Sequence, residues 1–166
     1  MRELTDAELR AGLTAALAVR RWVEEVASHA PFAGLDALLD AARAAAPLRR
    51  FEIDQALGHH PRIGETPAGD GAAQQFSRAE QASADAGDSA LAAAIADGNR
   101  RYEQRFDRVF LIRAAGRSRV EILAELERRL LLEDRTELAI VSEQLLEIAL
   151  LRIEQTFGPT FGAEPA

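Results

Sequence analysis

The sequence predicts an all-α protein, a single-domain bundle of roughly seven to nine helices. Alanine and leucine dominate the 166 residues, only 5% are aromatic, and runs of β-branched residues are missing. This composition favours helix because alanine and leucine are among the strongest helix formers. The chain is long enough to bury a sizeable core, and it shows no internal repeat or interdomain linker. We therefore expect one domain over residues 1–166.

Residue usage and charge exclude several classes of function. All 20 basic residues are arginine, so no lysine can form a Schiff base, attach pyridoxal phosphate or complete a Walker A motif. Without cysteine there is no disulfide, thiolate nucleophile or zinc–thiolate site. The net charge of −7 disfavours nucleic acid and anionic membranes as partners. No run of about 18 uncharged apolar residues could span a bilayer, and the N-terminus starts a helix rather than a signal peptide, so we expect a cytoplasmic protein.

Helix start and stop signals divide the chain in order. Thr5 is a candidate N-cap, Gly34 and Pro47 bound a later helix, and Gly87 marks another boundary. Helices are expected over about residues 5–27 with a bend near Arg20, 35–46, 48–57, 77–86, 89–106, 118–132 and 134–157. Val109–Ile112 is the one segment expected to be extended, and the tail 158–166 is expected to be frayed.

The stretch from Gly58 to Gln81 holds the densest group of candidate functional residues. His59, His60 and Pro61 follow one another, and only one other histidine occurs in the chain. Because a residue before proline is disfavoured in the α region, the preceding helix should stop near His60. The imidazole would then lie on a loop at a helix end. A histidine titrates near neutral pH, which suits it to proton transfer.

The segment Ser77-x-x-Glu80-Gln81 has two open interpretations. On a helix these residues share one face, which would present a carboxylate and a carboxamide to a site. The same spacing is also a capping box that starts a helix. Thr5–Glu8 and Ser118–Glu121 repeat the pattern elsewhere in the chain.

Arg152 stands within the apolar stripe of the last helix. Since an unpaired buried charge is costly, an arginine at that position needs an anionic partner. The partner is either a buried glutamate in a structural ion pair or the oxygen atoms of a substrate, which a planar guanidinium can clamp. The stripe consists of Leu138, Val141, Leu145, Ile148 and Ala149.

Taken together, these motifs resemble the OHCU decarboxylases, which act on 2-oxo-4-hydroxy-4-carboxy-5-ureidoimidazoline (OHCU) in urate breakdown. The resemblance extends from about Leu4 to Phe157, with one departure: Asp107 stands where the family commonly has glycine. Asp tolerates left-handed backbone better than most residues do, so the turn can survive. The segments that carry the resemblance are His60-Pro61-Arg62-Ile63-Gly64, Ser77-Arg78-Ala79-Glu80-Gln81, Asn99–Tyr102, Phe106, Phe110–Ile112 and Leu150-Leu151-Arg152.

The resemblance implies a carboxy-lyase that converts OHCU to (S)-allantoin, and it implies a homodimer. His60 would relay the proton and Glu80 would orient the imidazole or bind the substrate. The remaining substrate-binding positions would be Pro61, Ser77, Gln81, Arg152 and the backbone amides of Leu111 and Ile112. The substrate carries its carboxylate next to a ring imine that accepts the electrons, so neither a metal nor an organic cofactor is expected.

Two alternatives remain open at the level of sequence. His59, His60 and Glu65 lie close enough in the chain to suggest a metal site, although adjacent histidines usually diverge and no Glu-x-x-His motif is present. A non-catalytic helical binding or scaffold protein could also keep the decarboxylase fold, with the same residues as caps or relics.

Overall fold

The structure, a computed structural model, describes residues 4–65, 69 and 71–162. Within these residues there are eight helices and no strand, which confirms the all-α class and the expected number of helices. No described helix is long and apolar enough to cross a membrane. The helices are α1 (Asp6–Ala16), α2 (Arg20–Ala27), α3 (Leu35–Ala44), α4 (Arg50–Leu57), α5 (Ala72–Glu80), α6 (Ser89–Phe106), α7 (Arg119–Arg129) and α8 (Asp134–Phe161).

The chain divides into two compact units. The terminal unit comprises Met1–Ala56 and Leu145–Ala166, and the central unit comprises Leu57–Gln144. Of the predicted site residues, only Arg152 belongs to the terminal unit. The expectation of a single domain over residues 1–166 stays a prediction.

In the terminal unit, α1 packs on α2 and α2 packs on α3. Trp22 is fully buried, and its indole Nε1 donates a hydrogen bond to the Ala42 carbonyl over 3.1 Å. Gly12 allows α1 to approach the ring of Phe157, since a Cβ at this glycine would lie 2.3 Å from the ring Cζ. Arg21 binds the buried Glu52 carboxylate through Nε at 2.6 Å and Nη2 at 3.0 Å.

The central unit has a hydrophobic core between α6, α7 and the segment that joins them. Gly98 brings the two helices together, because a Cβ there would lie 2.5 Å from Cδ2 of Leu126. The core consists of Ile63, Ile95, Tyr102, Phe106, Phe110, Ile112, Ala114, Ile122 and Leu126. It therefore joins the loop that follows His60 to the segment that contains Ile112.

Two of the three predicted capping boxes are confirmed. Thr5 and Ser118 are the N-caps of α1 and α7, and each exchanges side-chain and backbone hydrogen bonds with the glutamate three residues later. The capping interpretation of Ser77 is wrong. Gly71 is the N-cap of α5, and Ser77 lies inside that helix. The predicted face with Ser77 is also shorter than expected, because α5 ends at Glu80.

Several boundaries differ from the sequence predictions. The expected bend near Arg20 is a break, in which Leu17 and Val19 are extended between α1 and α2. The segment Val109–Ile112 has no regular secondary structure, and α7 ends at Arg129 rather than near residue 132. α8 continues to Phe161, past the expected end at Phe157, and residues 163–166 lie outside the described residues.

These differences follow from packing that the sequence pattern does not reveal. Phe157 and Gly158 are buried, so tertiary contacts hold the end of α8 helical although glycine and proline are weak helix formers. At the end of α6, Asp107 adopts the left-handed conformation, with φ 54° and ψ 38°, and its N–H donates to the Glu103 carbonyl. Aspartate thus closes α6 with a left-handed residue, as its tolerance of that conformation predicts.

Candidate active site

His60 lies one turn beyond the end of α4. The helix ends at Leu57, and the His60 N–H donates to the Leu57 carbonyl over 3.2 Å, which confirms the expected stop before Pro61. His59 is exposed, whereas His60 and Pro61 are half-buried. The backbone turn therefore places the two adjacent imidazoles in different environments.

The last turn of α5 carries the predicted polar residues. Ser77 is buried, Glu80 is half-buried, and Gln81 is the C-cap residue of the helix. Ser77 and Glu80 are three residues apart and so lie on the same side of the helix. The predicted shared face is therefore present up to the end of α5.

The Gln81 carboxamide joins the end of α5 to the loop that follows His60. Its Oε1 accepts a hydrogen bond from the Gly64 N–H at 3.0 Å, and its Nε2 donates to the Arg62 carbonyl at 3.5 Å. Gly64 has a φ of +94°, a backbone conformation that glycine adopts without strain. The structure thus brings the Ser77–Gln81 segment together with the His60–Gly64 segment.

α6 holds the same loop from a second side. The buried Asn99 donates from Nδ2 to the Ile63 carbonyl over 3.1 Å, and the Arg62 guanidinium binds Glu103 at 2.5 Å. A groove of about 450 Å³ runs along this contact, lined by residues of the loop and of α6. Asn99 therefore supports the loop by bonding to its backbone.

Leu111 and Ile112 lie in the irregular segment between α6 and α7. Both are buried, and the Ile112 side chain belongs to the core of the central unit. Within the described part of the chain, neither the Leu111 N–H nor the Ile112 N–H donates a hydrogen bond. Buried backbone hydrogen-bond donors without a partner are rare in proteins, so these two N–H groups are candidates for contact with a ligand.

A fully buried polar cluster lies next to this segment, and the sequence analysis missed it. Arg129 at the end of α7 binds Glu137 in the first turn of α8, with Nε 2.9 Å from Oε1 and 3.0 Å from Oε2. The Tyr102 hydroxyl donates to the same carboxylate at 2.6 Å, and Arg129 Nη1 donates to the Leu111 carbonyl at 2.7 Å. Burial, with the adjacent Glu137 carboxylate, raises the pKa of Tyr102, so its hydroxyl remains a donor.

The signal that could have found this cluster is the one that identified Arg152. Arg129 continues the buried stripe of α7, seven residues after Ile122 and three after Leu126. Glu137 likewise begins the buried stripe of α8, four residues before Val141. A charged residue inside an apolar stripe predicts a buried ion pair or a ligand contact.

The start of α7 is tied to the end of α5. Asp85 accepts hydrogen bonds from the N–H groups of Arg119 and Val120 at 2.8 and 3.2 Å, and Arg119 Nη2 donates to the Gln81 carbonyl at 3.2 Å. The bond from the Arg119 N–H is the main cause that lowers the pKa of the Asp85 carboxyl. Asp85 thereby supplements the Ser118 cap of α7.

Arg152 is buried within α8, as its place in the apolar stripe predicts. Its Nη1 lies 3.5 Å from the Ala15 carbonyl and 3.4 Å from the Ala16 carbonyl, at the last residues of α1. Carbonyl groups at the end of a helix carry partial negative charge, so they attract the guanidinium. A role for Arg152 in binding substrate stays a prediction.

The alternative of a metal site gains no support from the side-chain positions. Among the described residues, no group of three or more histidine, aspartate or glutamate side chains is arranged to hold a metal ion. His59, His60 and Glu65 all lie within the described residues, and they form no such group.

Comparisons with known proteins agree with the fold and with the family resemblance. A model of the OHCU decarboxylase family matches residues 2–154 of this chain. A solved structure of OHCU decarboxylase in the presence of (S)-allantoin has a similar fold, with a TM-score of 0.73 and 21% identity, over 93% of this chain and 99% of that chain. A solved structure of (S)-allantoin synthase gives a TM-score of 0.64 and 16% identity over 92% of this chain. The match spans 51% of that second chain, about half its length. No curated protein sequence gave a significant match. Because the family model covers nearly the whole length, the chain belongs to the OHCU decarboxylase family.

Proposed function

We propose that His60 is the acid/base residue with which this chain decarboxylates OHCU. Family membership makes the protein a carboxy-lyase that forms (S)-allantoin. One observation supports His60 in particular: Gln81 joins the end of α5, with Ser77 and Glu80, to the loop that begins at His60. A half-buried imidazole and a half-buried carboxylate thus belong to two segments that the fold holds together.

The reaction needs a proton to move between two positions of the substrate. The bond between the ring and the carboxylate carbon breaks, carbon dioxide leaves, and the electron pair flows to the adjacent imine nitrogen, which takes up a proton from solvent. A proton is then lost from the neighbouring hydroxyl and gained by the ureido-bearing carbon on one face. We propose that the His60 imidazole carries out this relay, because a histidine exchanges protons near neutral pH.

The other site residues would bind and orient the substrate. Glu80 would orient the His60 imidazole or accept a hydrogen bond from the substrate. Pro61 and Ser77 would line the site, and the N–H groups of Leu111 and Ile112 would donate to substrate oxygen atoms. Gln81 and Arg152 complete the set that the resemblance implies. The carboxamide of Gln81 already holds the loop, so we propose that it also acts by positioning His60.

Assembly, location and cofactor use rest on the resemblance and on composition. We propose a homodimer in the cytoplasm that needs neither a metal nor an organic cofactor. The ring imine of the substrate is the electron sink that a cofactor would otherwise provide.

The test compares the two adjacent histidines in an assay with freshly generated OHCU. Loss of a general acid/base group typically lowers rates by about 10²–10⁴-fold, so His60→Ala should lose that much of the enzymatic rate. His59→Ala, whose side chain is exposed, should lower it only several-fold. Circular dichroism must follow the chiral product, because spontaneous decay of OHCU gives racemic allantoin.

If the wild type and a folded His60→Ala variant form chiral allantoin at equal rates, the proton relay is disproved. No chiral product from the wild type itself would instead favour the alternative of a non-catalytic protein that keeps the fold. Thermal unfolding of each variant shows whether a lost rate reflects chemistry or a lost structure.

A further inference from the structure

The two peptide groups on either side of Ile112 are both held by side chains of the central unit. Arg129 Nη1 donates to the Leu111 carbonyl at 2.7 Å, and Gln144 Oε1 accepts from the Arg113 N–H at 2.9 Å. The Ile112 side chain packs in the hydrophobic core. The backbone conformation of this residue is therefore fixed from three directions.

Because the peptide group is planar, this anchoring also fixes the direction of the Ile112 N–H. The Leu111 carbonyl and the Ile112 N–H belong to one trans peptide and point to opposite sides. Because Arg129 binds the carbonyl, the Ile112 N–H must point away from the ion pair. That N–H has no acceptor within the described residues, although Ile112 is only 3% exposed.

The ion pair is poorly explained by stability alone. Arg129, Glu137 and Tyr102 are all fully buried, and removing two charges from water offsets most of their attraction. Apolar residues of similar volume often replace such pairs without loss of stability. Its geometry nevertheless fixes the guanidinium closely: Glu137 takes Nε and Nη2, the Phe110 ring lies 4.7 Å from Cζ, and Nη1 remains for the Leu111 carbonyl.

We propose that Arg129, Glu137, Tyr102 and Gln144 are positioning residues that aim the Ile112 N–H at an oxygen atom of the substrate. This inference rests on the proposed function, in which the backbone amides of Leu111 and Ile112 bind substrate. An N–H group aligned in advance stabilises negative charge that develops on oxygen during the reaction, and a misaligned one does not. The four residues act through the backbone and do not themselves contact the reacting atoms.

The first experiment replaces the buried cluster with apolar residues of similar size. The triple variant Tyr102→Phe/Arg129→Met/Glu137→Leu should melt at or above the wild-type temperature but lose the anchor of the Leu111 carbonyl. Removal of one hydrogen-bond donor from an oxyanion site costs about 10²–10³ in kcat. Since the donor here is misaligned rather than deleted, we expect kcat to fall about 10- to 100-fold with a smaller change in KM.

The control is an exposed ion pair of the same unit, between Arg101 of α6 and Glu127 of α7. Arg101→Met/Glu127→Leu should leave kcat and KM at wild-type values. A folded triple variant with wild-type kcat and KM would overturn the inference, because a purely structural ion pair would be replaced without kinetic effect.

A second pair of variants leaves the buried ion pair intact and so keeps the test decisive if the triple variant does not fold. Gln144→Leu removes the acceptor of the Arg113 N–H, and we expect kcat to fall about 10-fold. Gln144→Glu keeps an oxygen at that position and should restore most of the rate. Equal kcat for the folded Leu and Glu variants would contradict the role of Gln144 and, with it, the anchoring of Ile112.

The outcome for the wild type separates this inference from the proposed function. If the wild type forms no chiral allantoin, the proposed function fails. If it does so while the variants of the cluster and of Gln144 keep wild-type kinetics, only the positioning inference fails. Amide chemical shifts provide a further readout: the Ile112 N–H signal should move when (S)-allantoin is added to the wild type, and should move less in Gln144→Leu.

Discussion

Two buried arginines, Arg119 and Arg129, and the partly buried Arg21 each bind a backbone carbonyl group outside their own helix. Arg21 donates to the Ala45 carbonyl at the end of α3, Arg119 to Gln81 at the end of α5, and Arg129 to Leu111. A guanidinium has five N–H donors in a planar fork, so one side chain can bind a carboxylate and a carbonyl together. Lysine, which this chain lacks, could not span both acceptors in the same way.

The same geometry explains why the sequence predicted the burial of Arg152 but left its partner open. The pattern of apolar residues shows that a charge is buried, whereas the acceptor comes from another part of the chain. The Arg152 guanidinium lies next to the Ala15 and Ala16 carbonyls, which are 136 residues or more away in sequence. Backbone acceptors leave no mark in the sequence, so no pattern could have named them.

Two variants of Gln81 separate a positioning role of its side chain from direct binding of the substrate. If its Oε1 holds the Gly64 N–H, then Gln81→Glu keeps that bond and should retain most of the activity and stability. Gln81→Leu removes it and should lower the free energy of unfolding by about 1 kcal/mol, with a loss of activity through a looser His60 loop. Denaturant unfolding and the chiral assay measure both quantities.

If Gln81 instead acts by donating its amide to the substrate, Gln81→Glu should be as inactive as Gln81→Leu while its stability stays at the wild-type value. That result would reject positioning as the main role of the residue. Glutamate and leucine differ little in volume, so a difference between Gln81→Glu and Gln81→Leu reflects hydrogen bonding.

The capping signals predicted the start of a helix correctly where an apolar helical pattern followed them. Thr5 and Ser118 both cap helices, and α6 spans Ser89–Phe106, the predicted range. The third Ser-x-x-Glu motif failed because α5 begins earlier, at Ala72, after Gly71. The residues between Gly71 and Ser77 include alanine and glutamine, which propagate a helix well, so local propensity extended the element past the supposed cap.

A prediction for the terminal unit concerns Glu52, a buried carboxylate at the start of α4. It accepts bonds from Arg21 and from the Arg49 N–H, and the hydrogen bond from Arg21 is the main cause that lowers its pKa. Glu52→Gln should lower the free energy of unfolding at pH 7 by about 2 kcal/mol, because it leaves the partly buried Arg21 without this charge. Glu25→Gln is the control: Glu25 binds the same arginine but is 45% exposed, so its loss should cost well below about 1 kcal/mol.

The pH dependence of this difference has a definite sign. A carboxyl group whose pKa is lower in the folded state stabilises the protein above its unfolded pKa, and this contribution is lost as the pH falls through the folded value. The gap in unfolding free energy between wild type and Glu52→Gln should therefore be full near neutral pH and shrink below about pH 4. A gap that stays constant down to pH 2 would show that Glu52 contributes through packing alone. Urea unfolding across that pH range measures it.

At the scale of the whole molecule, the sequence supplied the class, the family and most candidate residues, but not the support behind them. The motif segments contain His60, Glu80 and Leu111, yet the cluster that holds Leu111 joins Tyr102, Arg129 and Glu137 from three helices. Sequence separations of 27 and 8 residues between these three positions carry no periodic signal. Only the fold brings them to one carbonyl group.

We propose that the protein assembles as a homodimer. Light scattering at micromolar concentration and 150 mM salt should give about twice the chain mass of 18.1 kDa. Each protomer carries a net charge of −7, and salt screens this repulsion, with a Debye length of about 8 Å at 0.15 M and about 30 Å at 0.01 M. The dimer should therefore dissociate more readily as ionic strength falls, which dilution series at the two salt concentrations can measure. A mass near 18.1 kDa at all concentrations up to about 100 µM in 150 mM salt would reject the dimer, and it would require one protomer to supply every residue of the active site.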